Sequence, residues 1–528
     1  MMRISLVVVS PVLGIFSYLI PRLRNEFCFL ASVLSLYFSL LIFNATRQAL
    51  TFNKVLWTLG NYEYGLYADH LTAVMLTLLS LSIFASIIYS FRYMRGYKNS
   101  GLFYFYTLLI LAFGNALLTA NSILSASVIA FIVSILGHLL SATTAEKEVK
   151  GFRNYSFLLI ELFFILGILI LKWENFTFNF AFLPINGTLN FKIIVGLILI
   201  FVSILARLGF YPFNKWFIIT SNGFTLLGYL IFITITQKIL GFYFLLRIGC
   251  FIFAQEHFLW LRIGLVILGV VNIILMGYRL WYTKQVNQVL FTTEAIQMGF
   301  VVLALTGLNS NTLAGGVLLF IYYLLSQTSI IYTLGSITYW TKSEKINDFI
   351  GLAERMPLTF ILLTLAVFLI IGIPPLGSFG AKWLMLQGLF SFTNGIDIRS
   401  ILHLVGMLGI LIGNILMAGY FIKFLRKILE PLIDEFPKAW ELGFTAWISP
   451  LMLLAIALFF GTFANNSMIK LVMDPLLRTT VFGFIEDSSR VKFEPSNNFF
   501  PTMIILSIIL GYFLQKKYPK QIIMNSKC

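Results

Sequence analysis

The sequence is short of charge. Only 11% of its 528 residues are Asp, Glu, Lys or Arg, against roughly 25% in an ordinary soluble domain. That shortage excludes a soluble enzyme, a disordered chain and a nucleic-acid-binding protein. Cysteine is scarcer still. Cys28, Cys250 and Cys528 lie far apart and offer neither a metal-ligand spacing nor a disulfide framework. No G-x-G-x-x-G leads a βαβ unit, no Walker loop occurs and no cysteine cluster could hold iron–sulfur, so no cofactor is expected in this chain. Acidic residues number 21 against 37 basic ones, a formal net charge of +16. In a soluble protein that balance would suggest an acidic partner. In this composition it reads as lysine and arginine packed into short loops between membrane helices.

What is abundant is hydrocarbon. Hydrophobic residues make up 59% of the chain and the mean hydropathy is +0.92. A membrane span needs about 20 mostly apolar residues. Such runs occur near 4–21, 27–43, 69–91, 102–120, 122–142, 155–171, 193–211, 223–246, 257–278, 291–308, 313–338, 358–390, 401–422, 446–464 and 500–515. The reading is an all-α polytopic membrane protein with 14 to 15 transmembrane helices in the lipid bilayer. The first run lacks a basic leader and a small-residue cleavage site, so it is expected to stay as a span. The runs are continuous rather than alternating, which excludes spanning strands.

Sorting the basic residues by alternate loops gives an asymmetry. One side holds 22 of the 37, including Arg92, Arg95, Lys342, Lys345, Arg426 and the C-terminal lysines. The other side, to which Arg247 and Arg262 are assigned, holds 12, and three lie inside spans. The positive-inside rule then places the N-terminus outside and the C-terminus in the cytoplasm or matrix, within a bacterial or mitochondrial inner membrane. The stretch 423–441 is expected to run along the cytoplasmic surface, and 465–499 to be an exposed outer excursion.

Two spans look broken. Residues 193–220 pass through Gly209 and Pro212, and residues 358–390 contain Gly372, Pro374, Pro375, Gly377 and Gly380. Proline removes a helix donor, and backbone freed in lipid needs protein or water partners. Discontinuous helices of this kind line ion sites in transporters. The breaks lie five spans apart, and each has a nearby Lys-Trp pair, Lys215-Trp216 and Lys382-Trp383.

Four ionisable side chains stand out inside the runs: Glu161, Arg207, Lys238 and Lys382. An ionisable group at mid-bilayer costs at least ~2.5 kcal/mol, so each is a candidate for function. The plainer alternatives are a structural pair, such as Glu161 with Arg207, or snorkelling of a lysine to an interface. A lysine can exchange protons, whereas arginine stays charged and can only tune a neighbour. His138 and His403 also fall within spans and suit proton passage, although a hydrogen-bonded structural role serves a lone histidine equally well. Gln297, Gln327, Thr234 and Thr236 can hold water or bond across helices.

Several segments together carry a family resemblance. ARLGFYPFNKW, TKQVNQVLFTTEAIQMGFVVLAL and above all MPLTFILLTLAVFLIIGIPPLGSFGAKW resemble the antiporter-like membrane subunits of respiratory complex I. The same superfamily includes Mrp antiporters, membrane-bound hydrogenases and Dab-type inorganic-carbon uptake systems. The similarity runs over roughly residues 65–425. It implies two inverted five-helix repeats, each with a broken helix, and a water-linked polar axis at mid-membrane. The implied division is 1–100 for three N-terminal spans, 101–250 for the first repeat, 251–425 for the second and 426–528 for a linker and two last spans. The breaks fall near 207–216 and 372–382.

Carried over by position, Lys382 matches the lysine of the second broken helix and Lys238 the central lysine after the first. Arg207 stands where the first broken helix normally has lysine, and Glu161 matches an acidic position found in some branches. The chain departs from the pattern elsewhere. Phe131 occupies the position of the fifth-span glutamate, and Leu319, Tyr323 and Gln327 replace the histidines and lysine of the eleventh span. The resemblance implies a proton- or sodium-translocating subunit working with other membrane subunits of a complex I-like NADH–quinone oxidoreductase, an assembly whose enzymatic chemistry lies outside this chain. The alternatives are the membrane subunit of an inorganic-carbon uptake system and a scaffold that no longer pumps.

Overall fold

The structure, a computed structural model, describes residues 2–48, 51–59, 62–97, 99–144, 156–173, 190–214, 225–253, 255–390, 398–430, 440–463, 469–477 and 479. The apolar run at 500–515, Lys215-Trp216 and most of 465–499 lie outside these residues. Within them the chain is a helical membrane protein, and eleven helices are long and apolar enough to cross a bilayer.

In chain order the helices are α1 (Met2–Leu19), α2 (Arg24–Thr46), α3 (His70–Tyr93), α4 (Ser100–Leu118), α5 (Ile123–Thr144), α6 (Ser156–Trp173), α7 (Phe191–Leu208), α8 (Leu226–Gly249), α9 (Leu259–Tyr282), α10 (Val286–Leu305), α11 (Ser310–Thr341), α12 (Pro357–Ile371), α13 (Gly377–Phe390), α14 (Ile398–Ile428) and α15 (Phe444–Leu458). With α12 and α13 counted as one broken span, α4–α8 and α9–α14 hold five spans each.

One element departs from the sequence reading. Between α2 and α3 an antiparallel hairpin pairs β1 (Phe52–Leu59) with β2 (Tyr62–Ala68). These short strands lie outside the apolar runs, where the alternation rule for spanning strands does not bear. The hairpin is tied to the end of α4, because Tyr67 N–H donates to Thr119 O at 2.8 Å and Asn121 N–H to Gly65 O at 3.2 Å. Of the stretch 423–441, residues 431–439 lie outside the described residues. Its first residues continue α14 to Ile428, and its last acidic residue, Glu441, caps α12. The Glu441 carboxylate accepts from the backbone N–H of Leu358 at 2.9 Å and of Thr359 at 3.1 Å. Negative charge at a helix N-terminus satisfies orphan donors there, and Pro357 at the first position loses no bond by lacking one.

Side chains are sorted by bulk as much as by polarity. Helices α1, α2, α9 and α14 turn large apolar residues outward, among them Ile15, Leu40, Ile267 and Ile415. The inward stripe of α2 is small: Ser32, Ser35 and Ser39 are buried, and Ser35 bonds Ser80 of α3 at 3.0 Å and accepts from Asn115 of α4 at 3.1 Å. Lipid offers no hydrophobic drive between helices, so close backbone approach and interhelical hydrogen bonds hold them together. At the centre, α8, α10 and α11 are buried on all sides. The 32-residue α11, about 48 Å long at helical rise, packs against α10, α12, α13 and α15.

Candidate functional site

Both broken spans end their first half in the same way. Helix α7 stops at Gly209 with φ +83°, and α12 stops at Gly372 with φ +81°. Only glycine takes this left-handed conformation without a steric penalty. Proline follows each glycine within three residues (Pro212; Pro374 and Pro375) and prevents the helix from resuming at once. The last carbonyls of α7 and α12 are thereby left in the protein interior, where they carry the negative end of each helix dipole.

A lysine ammonium occupies each of these ends. Lys238 Nζ donates to Leu208 O, the last residue of α7, at 2.8 Å. Lys382 Nζ donates to Ile371 O, the last residue of α12, at 2.7 Å and to Ile370 O at 3.1 Å. Lys238 is wholly buried and Lys382 is 5% exposed. Neither reaches an interface, so snorkelling is excluded. The lysines arrive by different routes. Lys382 sits in α13, on the far half of the same broken span, while Lys238 belongs to α8, the following span. It follows directly on a stretch of α8, Leu230–Gln237, wound with i→i+5 hydrogen bonding. Such wide turns shift the register of a helix face and recur at functional sites.

Their partners differ as well. Lys382 donates to Asn414 Oδ1 of α14 at 2.7 Å and stands 5.4 Å over the Phe300 ring. Lys238 lies 3.7 Å from the carboxylate of Glu294 on α10. Glu294 is fully buried. Its Oε1 accepts from Thr234 Oγ1 at 2.5 Å and from Gln327 Nε2 at 3.5 Å. One turn further along α10, Gln297 Nε2 donates to Ile370 O at 3.0 Å, the carbonyl that Lys382 also uses. A polar file thus runs from Lys238 through Glu294 and Gln297 to Lys382 and Asn414.

In the first repeat the file ends in a closed ring. Glu161 and Arg207 form a buried ion pair, as the pairing alternative anticipates. Arg207 Nη1 donates to Gln237 Oε1 at 3.1 Å, Gln237 Nε2 to Ser134 Oγ at 3.1 Å, and Ser134 Oγ to Glu161 Oε1 at 2.5 Å. The guanidinium lies beside the Phe164 and Phe244 rings, which pack against each other. Gln237 precedes Lys238 in the chain, so ring and file adjoin.

The histidines are not members of the ring or of the file described above. His138 is one turn beyond Ser134 on α5, half-buried. His403 Nε2 is 3.1 Å from Arg262, which also donates to Thr306 O at the end of α10. His403 lies eleven residues before Asn414, about 16 Å along α14, and so near one end of the bundle. Thr236 bonds within its own helix, to Ile231 O at 2.6 Å.

Two charges escaped the sequence reading. The hydropathy run that opens at 291 leaves Glu294 at its margin, whereas the helix begins at Val286 and carries it two turns inward. Arg247, assigned there to a loop, is buried in α8. It grips Asp69 through two bonds of 2.7 and 2.6 Å and Thr72 Oγ1 at 2.9 Å. Asp69 also caps α3 by accepting from Thr72 N–H at 2.9 Å. The run ending at 246 stops three residues before the end of α8 and leaves Arg247 outside it. Among the described residues no group of three His, Cys, Asp or Glu side chains could hold a metal ion.

Residues 149–409 match the family model "NADH:quinone oxidoreductase/Mrp antiporter, TM". The chain is 20% identical over 501 residues to the Na(+)/H(+) antiporter subunit A1 of Staphylococcus aureus, an alignment covering 89% of this chain and 61% of that protein. It is 22% identical over 339 residues to NADH-quinone oxidoreductase subunit N of Desulforudis audaxviator, covering 61% of this chain and 66% of that one. It therefore spans under two thirds of the length of these relatives. The fold matches a chain of the Mrp complex from Dietzia sp. with a TM-score of 0.77 at 14% identity, covering 96% of this chain and all of that one. It also matches a chain of respiratory complex I from Thermus thermophilus with a TM-score of 0.74 at 18% identity, covering 93% and 100%. The chain is a multi-pass integral membrane protein, and its residues 149–409 are of the kind that the antiporter-like membrane subunits of NADH:quinone oxidoreductases and Mrp antiporters share.

Proposed function

We propose that this chain moves protons, or sodium ions, across a bacterial or mitochondrial inner membrane as one subunit of a multi-subunit energy-coupling complex, passing them by way of Lys238 and Lys382. The observation that carries the reading is the matched placement of the two ammonium groups. Each sits in the interior against the last carbonyl of a half-helix, and the polar side chains Glu294 and Gln297 of one buried helix reach toward them from between. Keeping two lysines there costs several kcal/mol, and a structural role does not need titratable groups in both places. Lysine can take up and release a proton. The driving force comes from partner subunits, because this sequence has no cofactor motif. A non-pumping scaffold is the second reading, and Phe131 and Arg207 favour it, because they replace a carboxylate and a lysine by groups that cannot exchange protons.

Replacing Lys382 by alanine separates the two. Proton flux is measured in energised native membrane vesicles, with the assembled complex quantified on native gels. Translocation requires flux to fall by about a hundredfold, the scale of a lost proton-transfer group, with assembly intact. Unchanged flux in a fully assembled complex makes the chain a scaffold.

A further inference from the structure

The two charged pairs of the file have opposite characters. Both carboxylate oxygens of Glu161 are engaged, Oε1 by Ser134 and Oε2 by Arg207. An arginine cannot release its proton. The ring in the first repeat is therefore a fixed electrostatic element. In the other pair both members can change charge. Glu294 Oε2, the oxygen facing Lys238 Nζ at 3.7 Å, has no hydrogen-bond partner among the described residues. That separation is longer than a hydrogen bond, so a small side-chain closure or one water completes the contact.

The surroundings of Glu294 differ from those of the ring in a second way. On α10 and α11, between the two lysines, the buried polar atoms Gln297 Oε1, Gln327 Oε1, Tyr322 Oη and Tyr323 Oη have no hydrogen-bond partner among the described residues. Tyr322 Oη approaches the second break at Gly377. Tyr229 and Tyr323 are the other titratable groups that face Glu294. Buried polar atoms in native proteins are nearly always bonded to protein or to ordered water. A cluster of them beside a carboxylate is a place for a short water chain.

We propose that Glu294 is the proton-exchanging partner of Lys238, a role that rests on the translocation function proposed above and that joins the two repeats. In the step, the N–H bond of the Lys238 ammonium breaks and an O–H bond forms on Glu294 Oε2. A neutral amine and a neutral carboxylic acid remain. Glu294 then gives the proton to water held by Gln297, Gln327 and Tyr323, and a proton from that water forms the ammonium of a neutral Lys382. The carboxylate missing from α5, where Phe131 stands, is thus supplied by α10, in the opposite repeat.

The test uses the full-length chain in liposomes and infrared difference spectra taken between low and high pH. A carboxyl C=O band is expected to titrate in the parent, to vanish in Glu294→Gln and to persist, shifted, in Glu294→Asp. In energised native vesicles Glu294→Gln is expected to lower proton flux about a hundredfold, and Glu294→Asp to restore at least a tenth of it, with assembled complex unchanged in both. An unaltered band in Glu294→Gln, or parental flux, overturns the assignment. Lys382→Ala, run in parallel, tells the two failures apart. If it abolishes flux while Glu294→Gln does not, the role of Glu294 alone is wrong. If neither variant alters flux, translocation itself is wrong.

Discussion

Arg207 and Lys238 are 31 residues apart in sequence and both wholly buried, yet chemistry separates them. A guanidinium locked to Glu161 is structural ballast for the first repeat. Removing one partner of a buried ion pair leaves an uncompensated charge and costs about 3–5 kcal/mol, whereas replacing both by apolar groups of similar volume is often close to neutral. Arg207→Leu is therefore expected to lower resistance to chemical unfolding in detergent by that amount, and Glu161→Leu with Arg207→Leu to recover most of it. Equal losses in the single and double variants contradict a self-contained pair. At this scale the sequence was half legible. Lys238, Lys382, Glu161 and Arg207 announce themselves because charge in an apolar run is rare. Their partners do not. Nothing local marks Asn414 as the acceptor for Lys382, and Glu294 hides because a helix buried among other helices needs little apolar flank, so the hydropathy run starts late.

The elements show why the lysines find acceptors at all. A continuous helix would bond its own carbonyls and leave none for an ammonium group. The breaks at Gly209 and Gly372 free those carbonyls in the interior. A Cβ at Gly372 meets left-handed backbone, which costs roughly 1–2 kcal/mol in an L-residue. Gly372→Ala is accordingly expected to lower stability by about that amount and to disturb the α12 end that Lys382 caps. Deuterium exchange followed by mass spectrometry checks this: peptides over 366–376 should exchange faster in the variant, and peptides in α3 should not. Uniform protection across both regions speaks against a local cap. The breaks themselves were readable, since Gly and Pro punctuate a membrane run with a known mechanism. The β1–β2 hairpin was not, because it lies between spans, in a segment with no apolar run. The end of 423–441 was also opaque. Glu441 acts on the N-terminus of α12, more than 80 residues earlier in the chain, a contact only the folded bundle creates.

For the whole molecule, length and hydropathy were enough to give the class, and the Gly-Pro breaks with their lysines gave the family. The route proposed between the lysines needed coordinates. It crosses from one repeat to the other through α10, the wholly buried helix that carries both Glu294 and Gln297. The account depends on this corridor being wetted while the rest of the interior stays dry. Tyr89 and Tyr332 provide the dry reference, since their hydroxyls are satisfied by Ser336 and Ser86 in a stacked aromatic cluster.

Radiolytic hydroxyl labelling of the full-length chain in lipid nanodiscs, read residue by residue by mass spectrometry, addresses that corridor most directly, because bound water is the source of the label. The prediction is modification at Tyr322 and Tyr323 several-fold above that at Tyr89 and Tyr332, although all four rings are equally buried from bulk solvent. Equal, background-level labelling at all four would mean that no water threads the path between Lys238 and Lys382, and the ion route described here would not exist.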